Sequence, residues 1–401
     1  MSLTGVPLLV LLFLAAAAVP LGTLHPWFVR RTARRLGLVL AAQLTAVVAV
    51  AAVANYYGDF YPSWSDLFHA VHTDSAQTHS FGAATADHPS ADLPRAGPGE
   101  LPATQAATIA AALNPTDWST RGQWPQRGAV VHLPTSADPN GPTQEVLAYL
   151  PPVWFSGAPG ATALPMVEVL TGYPGTPDTE VHKLHAPDVL LAGIRSGSLH
   201  PMVLLMTRPV EPFPRDTECT DVPSGPGSFS FLADALPDSA ARALHLQVTG
   251  MAAVGYSTGG YCSLKLAMLR PARFAGGASM SGYYAPDPGI NSGDLFGGST
   301  ADKNANDLGW RLTHLPAPRA AILVVASREE RFESGYQAAQ HFLSLVRAPL
   351  AAQEILLDHG GHNFDTWAAE FPRIMPWLDG QLRHRPIQVG ASPAPSPGGR
   401  S

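Results

Sequence analysis

The stretch "AAVGYSTGGYC", residues 252–262, joins an apolar run to a cluster of glycines around a single serine, Ser257. The residues before the serine are those of a buried strand, and "GGYCSLKLAMLRPARF" (259–274) after it has the composition of a helix. Gly255 and Gly259 complete the pattern G-x-S-x-G, which is typical of a sharp strand-to-helix turn with an exposed serine at its apex. The stretch alone leaves two interpretations open: a nucleophilic serine or a small residue in a tight turn.

The body of the chain, residues 126–386, alternates short apolar runs with helix-like stretches. The runs predict strands at 128–135, 145–155, 166–172, 201–209, 251–257, 274–282, 320–327 and 353–360. Helices are predicted at 229–245, 259–270, 333–346 and 365–383, and 283–318 is predicted to be an irregular lid. The turn "DPNGP" favours a hairpin between the first two strands, and the later alternation favours a mostly parallel sheet. In such sheets, sites form beyond the carboxyl ends of the strands.

Two of these strand ends carry the groups that a catalytic serine needs. "SREER" follows the strand 320–327, and Glu330, with Glu329 in reserve, is the candidate acid that orients a histidine and stabilises its cation. "DHGGHNFDTW" follows the strand 353–360, and His362 is the candidate base that takes the serine proton. The alternatives are a solvated charged loop and an ordinary loop histidine. The order Ser257, Glu330, His362 is that of the α/β-hydrolase fold, and this agreement favours the nucleophile.

Backbone donors for an oxyanion are predicted at a fourth strand end, "TGYPG" (171–175). An acyl-transfer site needs two N–H groups aimed at the developing oxyanion. Thr258, directly after the serine, is expected to supply one of them. Tyr173 is expected to supply the other, because Pro174 has no N–H. A plain Pro-Gly turn is the alternative.

Metal, cofactor and nucleic-acid chemistry have little support in the sequence. A metal site could use His359, His362 and Asp365, but it lacks a fourth ligand and leaves the serine unexplained. We therefore expect no metal and no cofactor. The net charge of −6, with no basic run outside one short loop, argues against a nucleic-acid partner. Cys219 and Cys262 are either a disulfide of an exported domain or two buried thiols.

Two uncharged apolar segments, 6–24 and 36–55, are each about long enough to cross a bilayer. Four arginines lie between them, which predicts a cytoplasmic loop and an outside location for everything after residue 55: Arg30, Arg31, Arg34 and Arg35. The prediction is a multi-pass protein of the cell membrane with an extracytoplasmic catalytic domain. A cleaved signal peptide at 1–24 is disfavoured because "MSLTG" carries no positive side chain. A buried apolar hairpin is the other alternative.

Four regions follow from these patterns. Residues 1–56 form a two-helix transmembrane anchor, and its end runs into an aromatic stretch, 55–68, that suits a membrane interface. Residues 57–125 are predicted to be a linker or stalk, residues 126–386 the catalytic domain, and residues 387–401 a disordered tail rich in proline, serine and glycine.

The chain resembles the esterase D/antigen 85-like family of serine hydrolases over about 126–385. The stretches that carry the resemblance are "TGYPG", "DTECTDVP" (216–223), "GYSTGGYCSLKLAMLRPARFAGGASMSGYY" (255–284), "ASREE" and "GGHNFDTW". The family implies a triad of Ser257, Glu330 and His362, with an oxyanion hole from the backbone of Tyr173 and Thr258. The chain departs from many relatives in having two adjacent glutamates at the acid position. The stretch 216–223 could line the pocket, or its acids could cap the following loop.

The hypothesis is a membrane-anchored extracytoplasmic serine hydrolase that cleaves a small-molecule or lipid ester through an acyl-enzyme. One alternative is an acyltransferase, like the mycolyltransferases of the family, that moves an acyl chain to a sugar or wall glycan. The second alternative is a non-catalytic envelope protein that retains the fold, because a shared fold does not choose among these activities.

Overall fold

Nine strands form one sheet in the computed structural model of the chain, in the order β1-β9-β8-β7-β6-β4-β5-β3-β2. The strands are β1 Gln77–Gly82, β2 Ala129–Thr135, β3 Gln144–Leu150, β4 Ala163–Leu170, β5 Val203–Thr207, β6 Gln247–Tyr256, β7 Gly276–Met280, β8 Ala321–Ser327 and β9 Ala351–Leu357. The structure describes residues 3, 5–22, 32–58, 60–61, 63–68, 77–82, 126–135, 144–156, 158–209, 215–223, 225, 227–286, 288–289, 291–331 and 334–384.

The sheet is mostly parallel, as predicted. Strands β4 to β9 pair in parallel with one another, whereas β2 pairs antiparallel with β3 and β3 antiparallel with β5. All eight predicted strands are present as β2 to β9. The second ends earlier than predicted, because two prolines at 151 and 152 stop the ladder and a 3-10 turn, Pro152–Ser156, follows. The predicted turn "DPNGP" lies outside the described residues.

Helices cover both faces of the sheet. They are α1 Val6–Gly22, α2 Thr32–Gly58, α3 Trp64–Leu67, α4 Asp178–His182, α5 Ala186–Ser196, α6 Ser228–Ser230, α7 Leu236–Ala243, α8 Thr258–Leu269, α9 Thr300–Asn306, α10 Leu308–His314, α11 Tyr336–Ser344 and α12 Phe364–His384. A π-helical turn, Phe231–Ala235, joins α6 to α7. The predicted irregular lid therefore contains two short helices, α9 and α10.

The core has two layers because β6 and β8 are buried on both faces. Helices α7 and α8 pack with one face of the sheet, and their apolar residues share one buried cluster with Leu205 and Ile322. Helices α5 and α12 pack on the other face, with Val254 and Leu323 in a second cluster. Near-continuous apolar strands are the pattern expected for a parallel sheet between two helical layers.

One helix in the described part of the chain, over Leu36–Gly58, is long and apolar enough to cross a membrane. The first apolar segment forms α1, which at 17 residues is shorter, and it packs against α2. A second span therefore stays a prediction, as does the sidedness set by the arginine loop; Arg30 and Arg31 lie outside the described residues.

The predicted linker 57–125 does not account for β1, which pairs antiparallel with β9 and adds an edge strand to the sheet. The polar sequence "QTHSFG" lacks the apolar character of a core strand, because an edge strand has one neighbour and needs little burial. Residues 83–125 and the predicted tail 387–401 lie outside the described residues.

Cys219 and Cys262 form a disulfide that ties the loop after β5 to α8.

Candidate active site

Ser257 lies at a sharp turn between β6 and α8, with φ of 55° and ψ of −125°. A left-handed φ is strained for a serine, so the surrounding backbone must hold it. Its N–H donates to the carbonyl of Met280 at the end of β7 (3.0 Å). A Cβ on Gly255 would lie 2.5 Å from the carbonyl group of Gly259, and one on Gly259 would run into the carbonyls of β4's last residue and the residue after it. Both motif glycines are therefore required by close backbone packing.

The loop after β4 passes beside the serine. Gly175 donates its N–H to the carbonyl of Gly172 (2.8 Å), which closes a turn around the cis bond between Tyr173 and Pro174. A Cβ on Gly172 would lie 2.8 Å from the Cβ of Ser257, so the loop backbone lies directly against the Ser257 side chain. The structure thus brings the two predicted donor segments to the same side chain.

Thr258, the other predicted donor, is the first residue of α8 and is almost fully buried. The first N–H groups of a helix have no acceptor within the helix, and they lie at the positive end of its dipole. An oxyanion that forms at Ser257 would therefore meet unsatisfied donors and a favourable potential.

The two adjacent glutamates point in different directions. Glu329 accepts from the N–H of Gly360 (3.1 Å) and pairs with the exposed ring of His359 (3.1 Å). Glu330 turns inward, is 3% exposed, and accepts a hydrogen bond from the hydroxyl of Ser281 (2.5 Å). Of the two candidate acids, Glu330 faces the core, whereas Glu329 contacts the outer loop.

His362 lies in the loop between β9 and α12 and lines the same cavity as Ser257. Its ring meets the indole of Trp367 edge to face, with centroids 5.1 Å apart. Burial lowers the pKa of His362 to about 4, so the imidazole is neutral at pH 7 and can accept a proton. Among the described residues, no hydrogen bond joins this ring to Ser257 or to Glu330.

The sequence analysis did not predict the chain of hydrogen bonds that links Glu330 to the loop of His362. The indole N–H of Trp367 donates to the Ser281 hydroxyl (2.9 Å), and that hydroxyl donates to Glu330. Ser281 follows β7 with a φ of 49°, and its N–H donates to a carbonyl of β8. Nothing in "SMSGYY" separates this serine from its neighbours, because its role depends on residues 49 and 86 positions away.

A cavity of about 990 Å³ opens at the carboxyl end of the sheet. The predicted residues Tyr173, Ser257 and His362 line it together, whereas the buried Glu330 and Thr258 are not among its lining residues. Four residues from the end of α2 and the chain just after it also line the cavity, which the sequence analysis did not foresee: Tyr57, Gly58, Phe60 and Tyr61.

The stretch 216–223 does not line this cavity; the alternative role of its acids, as caps, is the one observed. Asp221 accepts from the backbone N–H and the hydroxyl of Ser230 at the end of α6 (2.9 and 2.5 Å). Glu218 accepts from the phenol of Tyr283, which does line the cavity. The stretch supports the cavity wall from behind.

The fold and the serine turn are those of an α/β-hydrolase-like enzyme, and residues 136–378 match the family model described as "Putative esterase". This match covers more than half of the chain, and the chain belongs to that family.

The similar proteins include several hydrolases. The S-formylglutathione hydrolase of Agrobacterium tumefaciens superposes with a TM-score of 0.54 at 14% identity, covering 64% of this chain and 96% of that one. The fluorophosphonate-binding serine hydrolase FphF of Staphylococcus aureus has a TM-score of 0.50 at 15% identity, covering 63% and 98%. At such identities the likeness shows the fold alone.

The MPT51 antigen of Mycobacterium leprae is 41% identical over 69 residues, which are 17% of this chain. The match spans about a quarter of that protein's length (23%), so it carries no conclusion about the activity of the whole protein.

Proposed function

We propose that the chain is a serine carboxylesterase with Ser257 as nucleophile, His362 as base and Glu330 as acid. The observation that carries the proposal is the strained turn at Ser257, because a left-handed serine held by two obligatory glycines is the form of a nucleophile elbow. Backbone strain of this kind is retained where function needs it.

In the proposed reaction, the hydroxyl oxygen of Ser257 attacks the ester carbonyl while His362 accepts its proton. The N–H groups of Tyr173 and Thr258 stabilise the negative charge on the carbonyl oxygen. His362 then returns the proton to the leaving alkoxide, which departs as an alcohol. Water, deprotonated by the same imidazole, attacks the acyl-enzyme. The bond between the acyl carbon and the Ser257 oxygen breaks, His362 returns the proton to that oxygen, and the carboxylic acid product leaves.

The acid–base groups must move closer for this reaction. His362 must hydrogen-bond both to the nucleophile and to Glu330, and such contacts commonly tighten only when substrate is bound. The carboxylate of Glu330 is already held in place by the Ser281 hydroxyl, so we expect the loop that carries His362 to move toward it.

Transfer of the acyl group to an acceptor alcohol is the second candidate, with the same catalytic residues. A cavity of about 990 Å³ supports it, because this volume leaves room for an acceptor beside a short acyl chain. The ratio of transfer product to free acid, measured with a sugar alcohol present, separates the two activities.

We further propose that the N-terminal helices anchor the enzyme in the cell membrane with residues 126–386 outside the cytoplasm. The apolar helix α2 supports the anchor, and the disulfide between Cys219 and Cys262 supports an oxidising compartment. A reporter fused after residue 61 is expected to give an extracytoplasmic signal.

A fluorophosphonate probe tests the nucleophile directly. We expect the full chain in detergent to be labelled, and we expect Ser257→Ala to lose both labelling and at least about 10⁴-fold of its esterase activity. Ser239→Ala, on α7, is the matched control and should be labelled like the parent. Labelling of folded Ser257→Ala would contradict the assignment.

A further inference from the structure

We infer that the catalytic cavity opens at the membrane surface and takes an ester whose hydrocarbon chain resides in the bilayer. The inference rests on the proposed function and names its substrate class. It comes from the contact between the end of the apolar helix α2 and the histidine and glutamate loops of the candidate site.

Two polar contacts join the end of α2 and the chain just after it to the loops that carry Glu330 and His362. The guanidinium of Arg331, next to Glu330 in sequence, donates to the carbonyl of Tyr56 (3.0 Å) and lies 5.0 Å from the centre of the Tyr56 ring. The amide of Asn363, next to His362, donates to the carbonyl of Phe60 (2.5 Å). A cation at the carboxyl end of a helix is favourable because it meets the negative end of the helix dipole.

The chain also folds back on itself directly after α2. The side chain of Asn55 donates to the carbonyl of Tyr61 (2.8 Å) and accepts from the N–H of the same residue (2.7 Å). This pair of hydrogen bonds fixes the turn that carries Phe60 into the cavity wall. The last turn of α2 is therefore hydrogen-bonded directly to the segment that forms part of the cavity wall.

The position of the aromatic residues sets the depth of the cavity mouth. Exposed aromatic side chains follow the apolar part of α2, and such rings gather at the interface between hydrocarbon and water: Tyr57, Phe60, Trp64 and Phe68, which are 74, 44, 46 and 72% exposed. Tyr57 and Phe60 belong both to this belt and to the cavity lining. The cavity mouth is therefore at the depth of the interface.

An opening at this depth selects amphiphiles. A lipid ester can place its carbonyl at the interface while its hydrocarbon chain stays in the bilayer, so only a short movement takes the carbonyl to Ser257. Aromatic side chains line the cavity, with Phe364 and Trp367 contributing to its wall as well as Tyr57 and Phe60. A substrate confined to the membrane also reaches a high local concentration at a tethered enzyme.

The depth is tested in proteoliposomes that contain the full chain. Both native cysteines are in a disulfide, so Asp365→Cys at the cavity mouth can be labelled alone with bimane. Ala243→Cys is the matched control. Ala243 is exposed at the end of α7, near the amino end of β6, and it therefore lies at the end of the strands opposite the cavity. Phospholipids with a nitroxide on the headgroup should quench the first label several-fold more than the second. Equal quenching would overturn the inference.

The substrate class is tested with two esters of the same leaving group. One carries a palmitoyl chain and is dispersed in the vesicles, and the other carries an acetyl group and is dissolved in water. We expect kcat/KM to favour the vesicle-borne ester, and we expect Phe60→Ala to lower that preference about tenfold. Phe68→Ala, which removes an exposed ring outside the cavity lining, is the control and should change the preference much less.

The two proposals fail in different ways. Turnover of the acetyl ester without turnover of the vesicle-borne ester would overturn the inference and leave the serine esterase intact. Absence of turnover of both esters, with Ser257 unlabelled by a fluorophosphonate, would overturn the proposed function. In that case the quenching experiment still decides whether the cavity mouth lies at the membrane.

Discussion

Around Ser257 the candidate site is held by backbone, whereas around His362 it is held by side chains. Gly172, Gly255 and Gly259 let β4, β6 and α8 approach so closely that a methyl group at any of the three would collide with its neighbours. The histidine loop is instead held by hydrogen bonds of individual side chains, such as that from Asn363 to the carbonyl of Phe60.

The difference separates a rigid part of the site, around Ser257, from a part that can change its conformation, around His362. Close backbone packing tolerates no added atom, so Ser257 and the proposed backbone donors are placed before substrate arrives. Side-chain hydrogen bonds can be exchanged at a cost of about 1 kcal/mol each, so the loop of His362 can shift when substrate binds. The predictions below test this contrast.

The largest effect is expected for Gly259→Ala. Its Cβ would run into the carbonyls of Leu170, the last residue of β4, and Thr171, whose N–H donates to the carbonyl of Thr207 in β5, so neither carbonyl can move away cheaply. We expect a loss of more than about 3 kcal/mol in the free energy of unfolding, measured with urea, or no folded protein. Gly380→Ala is the control: nothing lies within 4 Å of its added Cβ in α12, so it should stabilise by about 0.5–1 kcal/mol. Equal stabilities would mean that the elbow is not closely packed.

The acid assignment predicts a large difference between two neighbouring substitutions. Glu330→Gln keeps the shape of the buried side chain but removes the charge that stabilises a histidine cation, so we expect kcat to fall about 10³–10⁴-fold. Glu329→Gln removes the charge that faces His359 and keeps one oxygen that can accept from the N–H of Gly360, so it should cost less than about tenfold. Steady-state kinetics on a soluble ester measure both. The opposite ranking would exchange the two roles.

The contrast also explains how much the sequence could predict. The backbone-held side was predictable, because glycines at fixed spacing after an apolar strand indicate a local turn whose geometry needs no distant partner. The three strand ends were brought together by the order of parallel strands, which follows from the alternation of strands and helices. Edge strand β1 was missed because a polar edge has no apolar pattern. Ser281 and the cavity-lining residues at the end of α2 and just after it were missed because their positions depend on contacts across 49 to more than 300 positions.

A smaller effect is expected for Ser281→Ala. The substitution removes the donor to Glu330 and the acceptor for the Trp367 indole, but it leaves every group that would touch substrate. The carboxylate would be placed less accurately, and we expect kcat to fall about 10–100-fold with little change in KM. Ser279→Ala, two residues earlier in β7, is the control. Its hydroxyl is buried with no hydrogen-bond partner among the described residues, so its removal should not lower kcat. Equal losses would indicate that any change in β7 disturbs the site.

The smallest effect concerns pH. The base must be neutral to accept the serine proton, and burial lowers the pKa of His362 to about 4 in the free enzyme. The acid limb of kcat/KM, which reports the free enzyme, should therefore lie well below the usual histidine value of about 6.5. At pH 5.5 a histidine with a pKa of about 4 is almost wholly neutral, whereas one with a pKa of 6.5 is about one-tenth neutral, which predicts about a tenfold difference in rate. A limb at pH 6.5 or above would show that a hydrogen bond to Glu330 already stabilises the cation before substrate binds. The histidine side of the site would then be as firmly placed as the serine side.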